Sequence, residues 1–146
     1  MLKRYPQIGV IWGANDPIAL GAIEGALEAG KISGKDIFFS GVNWDDLSLE
    51  KIKNAEMVTS LGGHFMTGAW ALVFLYDHHH GKDFIDEGTQ LQYKIFAAID
   101  SQNIDQFLSK FGDRNWGEID FSKFSKVLNP NISRYDFNLE KLFKQQ

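Results

Sequence analysis

Polar and aromatic side chains collect in three short loops, each of which directly follows an apolar stretch of the chain. The side chains are Asn15, Asp16, Asn43, Trp44 and His64. Amide and carboxylate groups form hydrogen bonds with hydroxyl groups, and an aromatic ring covers an apolar C–H face. These residue types therefore predict a binding site for a small polar ligand that carries hydroxyl groups.

The same loops also have a purely structural interpretation. Asn15 or Asp16 can accept a hydrogen bond from the first turn of a helix that starts at Pro17, a residue favoured there because it has no N–H group to satisfy. The acidic pair at 45–46 can open the next helix in the same way. Trp44 can pack inward instead of facing a ligand. The sequence leaves both interpretations open.

No arrangement of side chains in the sequence predicts catalysis or metal binding. The run at 78–80 consists of three histidines, but neighbouring residues on a helix point about 100° apart and do not converge on one ion. Gly81 follows directly, which indicates the polar last turn of a helix. There is no cysteine, no nucleophile elbow and no glycine-rich phosphate loop. We therefore expect no catalytic residue, no metal site and no cofactor.

Strand-like and helix-like segments alternate along the first half of the chain. Continuous apolar runs predict strands, and three-and-four spacing of apolar residues predicts helices. The strands are expected at 8–12, 37–42 and 57–61, and the helices at 17–29, 45–52 and 65–76. This alternation predicts an α/β fold with a mainly parallel sheet and helices on both faces. In such sheets ligands bind beyond the carboxyl ends of the strands, where the three polar loops lie.

The pattern changes after Gly88. Alternating apolar and polar residues over 91–98 predict a half-exposed strand, and a helix capped by Asp100 or Ser101 follows it. Beyond that helix the chain is rich in aromatic residues without a regular repeat, apart from a short helix expected at 120–127. We therefore divide the chain into an α/β part at 1–100 and a helix with a wrapping tail at 101–146.

Composition limits the classes of partner. The 146 residues include 15 Lys and Arg against 19 Asp and Glu, which gives a net charge of −4. Because the basic residues are scattered and the balance is acidic, we expect no nucleic-acid partner. No apolar run approaches the ~18–20 residues of a membrane span.

Several motifs taken in order resemble the type 1 periplasmic binding proteins. These are the sugar-binding components of bacterial ABC transporters, typified by ribose-binding proteins, and they share their fold with the ligand domains of lactose-repressor-type regulators. The similar segments are Trp12 to Ala22, Ala29 to Lys31, Gly34 to Ile37, Gly41 to Asn43, Met57 to Thr59, and Gly68 with His80-Gly81.

The resemblance implies which part of the family the chain represents and what it binds. Residues 1–100 look like an incomplete C-terminal lobe, so we expect a segment of a longer, two-lobed protein. The family's ligand-binding Asn falls on Asn15, whereas its strand-end Asp falls on Asn43, and a ligand-contacting Gln falls near Gly62. These departures indicate a ligand other than the common pentoses and hexoses.

The resemblance also implies a function. We expect a non-enzymatic, periplasmic substrate-binding subunit that binds a sugar or related metabolite and delivers it to a transporter permease in the membrane. The alternative is a periplasmic ligand-sensing domain of a signalling receptor or regulator, whose partner would be a membrane receptor.

Overall fold

A computed structural model describes residues 1–88 and 90–144, with the side chain of Lys144 left out. Within those residues, no helix has the length and apolar character that crossing a bilayer requires. The strands are β1 (Val10–Trp12), β2 (Phe38–Val42), β3 (Thr59–Gly62) and β4 (Ala97–Asp100). The α-helices are α1 (Asp16–Glu28), α2 (Asp46–Lys53), α3 (Thr67–His79), α4 (Ile104–Phe111) and α5 (Glu140–Lys144). Short 3₁₀ helices lie at His64–Met66, Ile85–Glu87, Trp116–Glu118 and Phe121–Phe124.

The four strands form one sheet in the order β1-β2-β3-β4. β1 runs parallel to β2, with Val10 opposite Phe38, and β2 runs parallel to β3, with Val42 opposite Leu61. Next to β3, the side chain of Thr59 donates a hydrogen bond to the carbonyl oxygen of Ile99 in β4 at 2.8 Å. The α/β prediction with a mainly parallel sheet is confirmed.

The first helix begins as its sequence predicts. Asn15 is the N-cap, and its side-chain oxygen accepts a hydrogen bond from the N–H of Ile18 at 3.0 Å, with Pro17 in the first turn. α1 buries Ala19, Ile23 and Ala26. The spacing of these three residues places them on one face of the helix, and α1 packs against β1 and β2.

The segment at 91–98 differs from its prediction. Only Ala97 and Ala98 lie in a strand, and residues 91–96 have no regular structure. Tyr93 packs instead against Phe74 and Phe137, with ring centres 5.9 and 5.1 Å apart. The alternation that indicated a strand therefore arises from aromatic packing in an irregular segment. The helix expected at 120–127 is shorter, a 3₁₀ turn at Phe121–Phe124.

The chain divides into two compact units, each built from two separate segments. The first unit comprises Met1–Gly62 and Ala98–Lys110, and the second comprises Gly63–Ala97 and the chain from Phe111 onward. This division differs from the boundary at 100 drawn from the sequence, whose second part also includes residues 145 and 146, outside the described residues. The periodicity of apolar residues predicts single helices and strands. It does not predict which distant segments of the chain pack into the same unit.

Within the second unit, aromatic side chains of the C-terminal segment pack on α3. Trp70 stacks on Phe137 with ring centres 4.8 Å apart and 10° between the planes, and Phe121 and Phe124 contact the same indole. Trp70 and Phe137 are both buried. The aromatic residues that lacked a repeat in the sequence are thus the core of this unit.

Two buried carboxylates bind the same segment. Asp77 of α3 accepts hydrogen bonds from the hydroxyl groups of Ser125 and Tyr135 and from the backbone N–H of Lys126. Glu87 accepts a hydrogen bond from the ammonium group of Lys126 at 2.6 Å and one from the backbone N–H of Tyr135 at 3.1 Å. We refer to Asp77, Glu87, Lys126 and Tyr135 as the acidic clasp.

Candidate functional site

The loops that follow β1 and β2 hold four of the five residues expected to bind a ligand. Asn15 and Asp16 lie between β1 and α1, and Asn43 and Trp44 lie between β2 and α2. All four belong to the first unit. Because β1 and β2 are parallel neighbours, both loops leave the same edge of the sheet.

Asn43 and Trp44 have an unusual backbone conformation. Their φ angles are +130° and +63°, in a region that non-glycine residues rarely occupy. Two successive residues of this kind indicate strain that the surrounding structure must hold in place. The side chain of Asn43 is half-buried and makes no hydrogen bond to any described residue, whereas its backbone N–H donates to the carbonyl oxygen of Leu61 at 2.8 Å.

A buried hydrogen-bond network lies beneath this loop. The hydroxyl of Ser60 donates to the carboxylate of Asp16, 2.8 Å from each oxygen, and accepts a bond from the N–H of Trp44 at 3.1 Å. The N–H of Asp45 donates to the same carboxylate at 2.9 Å. Asp16 and Ser60 are both 0% exposed. We refer to these contacts as the Asp16–Ser60 network.

Burial governs the electrostatics of Asp16. Removal of its carboxyl group from water raises the pKa, and the nearby charge of Asp45 acts in the same direction. Hydrogen bonds from Asp45 and Ser60 oppose this effect without cancelling it. Gly41 of β2 allows the approach of Asp16, since a Cβ at position 41 would lie 2.3 Å from its Oδ1 atom.

Trp44 faces the interior of the first unit. Its indole is 1% exposed, donates a hydrogen bond from Nε1 to the carbonyl oxygen of Ser60 at 3.0 Å, and packs edge-on against Phe107 of α4 at 4.9 Å. It also covers the backbone of Gly62, where a Cβ would lie 2.3 Å from the indole. The sequence left open whether Trp44 faces a ligand or packs inward. In the structure it packs inward.

Asn15 uses only half of its side-chain amide for the helix cap. Its oxygen is bonded to the N–H of Ile18, while its amide nitrogen donates no hydrogen bond to a described residue. Capping a helix and contacting a ligand are therefore compatible for this residue.

His64 belongs to the second unit and begins the 3₁₀ turn after Gly63. Its ring lies 5.3 Å from that of Phe96 at an angle of 32°, and 6.4 Å from that of Phe65. The Nδ1 atom is buried and has no hydrogen-bond partner among the described residues. Buried polar atoms usually have a partner, so this atom is an exception within the second unit.

The sequence did not single out Ser60, although a signal was present. It is a polar residue inside a short apolar run at 57–61, and a buried hydroxyl in such a position requires partners. The structure supplies them from Asp16 and Trp44, which are 44 and 16 residues away along the chain.

The histidine run is the end of a helix. α3 ends at His79, and Nδ1 of His80 lies 2.8 Å from the carbonyl oxygen of Tyr76. In the part of the chain that the structure describes, no group of three His, Cys, Asp or Glu side chains is arranged to hold a metal ion.

Solved structures of periplasmic binding proteins are similar to this chain, at different levels of sequence identity. A periplasmic sugar-binding protein from Pseudomonas fluorescens is 37% identical over 98% of this chain, with a TM-score of 0.82. A periplasmic ribose ABC transporter protein from Conexibacter woesei is 20% identical over 74% of the chain, with a TM-score of 0.58. A solute-binding protein from Bacillus halodurans with bound myo-inositol is 20% identical over 75%, with a TM-score of 0.55. The last two comparisons bear on the fold alone.

The chain is shorter than all three of these proteins. It spans 44% of the Pseudomonas protein, 35% of the Conexibacter protein and 36% of the Bacillus protein. No protein-family model and no curated protein sequence matches the chain significantly.

Proposed function

Because the chain belongs to the type 1 periplasmic binding proteins, we propose that the protein containing it is the substrate-binding component of an ABC-type transporter. In this proposal it binds a small polyhydroxylated ligand in the periplasm and presents that ligand to a membrane permease. It binds the ligand without chemical conversion, as the names of the similar structures suggest for those proteins.

The observation that carries the proposal is the backbone conformation of Asn43 together with its unpaired side chain. Its backbone is held at a positive φ, and its side-chain amide has no partner among the described residues. An amide offers both a donor and an acceptor to a ligand hydroxyl. Strain at a strand end beside unused hydrogen-bonding capacity is typical of a binding position.

A second polar group of the same unit supports a ligand with several hydroxyls. The amide nitrogen of Asn15 also has no partner in the described part of the chain. In contrast, Asp16 and Trp44 are fully enclosed. We therefore propose that Asn15 and Asn43 contact the ligand, while Asp16 and Trp44 support the loop that carries Asn43. The ligand contact expected of His64, which lies in the second unit, stays a prediction from the sequence.

The polar groups proposed to contact the ligand suggest a neutral molecule. Two amides offer donors and acceptors without the fixed charge of a carboxylate. Similar structures are described with bound D-allose, α-D-tagatopyranose and myo-inositol. We propose a neutral sugar or cyclitol as the ligand of this protein.

A thermal-shift screen of the full-length protein against D-allose, D-tagatose and myo-inositol tests this proposal, since a ligand that binds only the folded state raises the melting temperature. For a ligand found in this way, we expect Asn43→Ala to weaken binding by ~1–3 kcal/mol in calorimetry, the usual cost of leaving a buried hydrogen-bond partner unpaired.

Gln102→Ala is the matched control because it removes an exposed amide side chain from the same unit. Its affinity should equal that of the wild type. A folded Asn43→Ala variant that binds as tightly as the wild type would contradict the role of Asn43.

A further inference from the structure

Asp16 is the first residue of α1, but helix capping does not explain its burial. Asn15 provides the cap, and the carboxylate of Asp16 is bonded to Ser60 of β3 and to the N–H of Asp45, which precedes α2. A carboxylate that is fully removed from water needs a compensating role. Its partners are 29 and 44 residues away in sequence.

One partner of Asp16 directly follows the strained residues, and the other accepts a hydrogen bond from one of them. Three successive backbone N–H groups, those of residues 43, 44 and 45, each donate to a distant acceptor. These acceptors are the carbonyl oxygen of Leu61, the hydroxyl of Ser60 and the carboxylate of Asp16, at 2.8, 3.1 and 2.9 Å. These bonds oppose relaxation of the two positive φ angles, together with the packing of the Trp44 indole.

We propose that Asp16 and Ser60 are positioning residues for Asn43. This inference rests on the proposed function, since it assigns the two buried residues to the same ligand site. The network holds the loop between β2 and α2 in its strained conformation and thereby fixes the direction of the Asn43 amide. Ligand affinity then depends on two side chains that are too deeply enclosed to contact the ligand.

The variants Asp16→Asn and Ser60→Ala test the inference. In Asp16→Asn an NH₂ group replaces one acceptor oxygen and meets the donors from Ser60 and Asp45, and in Ser60→Ala the N–H of Trp44 loses its partner. The first readout is NMR of the protein without ligand. We expect the Trp44 indole signal and the amides of 43–45 to shift, and their hydrogen exchange to accelerate about tenfold or more, while the indole signals of Trp12, Trp70 and Trp116 stay in place.

The second readout is calorimetric affinity for whichever of D-allose, D-tagatose and myo-inositol binds the wild type. We expect a loss of about 10- to 100-fold in both variants, of the order expected when a buried hydrogen-bond partner is left unpaired. If the wild type binds none of the three, the proposed ligand class fails, and the NMR readout alone decides the positioning role.

Two control variants separate positioning from general destabilisation. Glu24→Gln removes an exposed charge from α1, and Ile23→Val removes a buried methyl group from the same helix. Both should keep the wild-type loop signals and affinity, even where Ile23→Val lowers the melting temperature. Unchanged loop signals in folded Asp16→Asn would overturn the inference, as would unchanged affinity alongside altered loop signals. If Asp16→Asn does not fold, Ser60→Ala decides by the same criteria.

Discussion

At the scale of single residues, Asn43 combines an unfavourable backbone conformation with a side chain that makes no hydrogen bond to the described residues. A sparsely populated conformation costs about 1–3 kcal/mol, and no internal hydrogen bond of the Asn43 side chain offsets that cost. A residue selected for stability alone would be expected to be glycine here, because glycine adopts positive φ without a steric penalty. We infer that Asn43 is retained for what its amide contacts.

This inference predicts opposite effects of Asn43→Gly on stability and on binding. Glycine removes the strain but adds freedom to the unfolded chain, so the free energy of unfolding should stay the same or rise by up to about 2 kcal/mol. Affinity for the sugar or cyclitol should fall as in Asn43→Ala. Urea denaturation and calorimetry measure the two quantities.

Val42→Gly is the matched control, since Val42 lies in β2 and is not among the residues with positive φ. It should destabilise the protein because glycine in a strand interior loses more conformational freedom on folding. If Asn43→Gly destabilised the protein as much as Val42→Gly, the result would contradict the claim that the backbone at position 43 is strained.

Single residues also show how far the sequence alone reaches. The cap formed by Asn15 could be predicted because it depends on neighbours three residues away. The conformation of Asn43 could not, because it depends on partners in β3 that are distant in sequence. The candidate site residues could therefore be chosen by their position at strand ends, while the enclosure of Asp16 and Trp44 required the structure.

At the scale of elements, the acidic clasp attaches the C-terminal segment to α3 and to the 3₁₀ turn that contains Glu87. Burial acts to raise the pKa of Asp77 and of Glu87, but the hydrogen bonds they accept outweigh burial and lower both values below the ordinary 3.8 and 4.5. The phenol of Tyr93, which donates to Glu87, has its pKa raised to about 12 by burial and by this carboxylate.

The direction of these shifts predicts acid sensitivity of the second unit. A carboxylate whose pKa is lowered on folding stabilises the folded state above its unfolded pKa, and this contribution is lost as the pH falls through the folded pKa. The wild type should therefore lose stability as the pH falls below about 4.5, the ordinary value for Glu87. In Glu87→Gln the loss on acidification should be smaller, because one of the carboxylates with a lowered pKa is gone.

At neutral pH, Glu87→Gln should itself lower the free energy of unfolding by about 1–3 kcal/mol, because the partly buried ammonium group of Lys126 loses its charged partner. Denaturation curves at about pH 7 and about pH 3 measure both effects. Asp86→Asn removes an exposed charge from the same turn and should behave like the wild type. Equal acid sensitivity of Glu87→Gln and the wild type would exclude Glu87 as a source of it.

Helices and strands that depend on neighbouring residues in the sequence could be predicted. Those that depend on packing against distant residues could not. Helix α1 and the strands β1 to β3 follow from apolar spacing, caps and turn residues. β4 was expected six residues too early, because the aromatic packing of Tyr93 imitates the alternation of a strand. The short helix α5 carried no signal that we recognised.

At the scale of the whole molecule, each unit depends on a segment that returns late in the chain. The first unit contains residues 1–62 and the later segment Ala98–Lys110, which includes most of β4 and α4. The 35 residues between these two segments belong to the second unit. Phe107 of α4 is fully buried and packs against Trp44. A late segment therefore completes the core beneath the loop that carries Asn43.

Phe107→Ala should accordingly destabilise the first unit by about 3–5 kcal/mol, the usual effect of removing a buried phenyl ring. Urea denaturation measures this loss, and amide exchange should accelerate in β2 and β3. Gln106→Ala, an exposed change on the same helix, should leave both quantities unchanged. If the β2 and β3 amides kept their protection in Phe107→Ala, α4 would not be part of this core.

The indole of Trp44 over Gly62 also constrains how this site can change. A side chain at position 62 collides with Trp44, while a smaller residue at 44 leaves a cavity beside Phe107. Each change is harmful by itself and tolerable only with the other, so the two positions are epistatic. Directed evolution toward a new ligand would therefore recover only glycine at 62 from single-site libraries, and a side chain there becomes accessible only when codons 44 and 62 are randomised together.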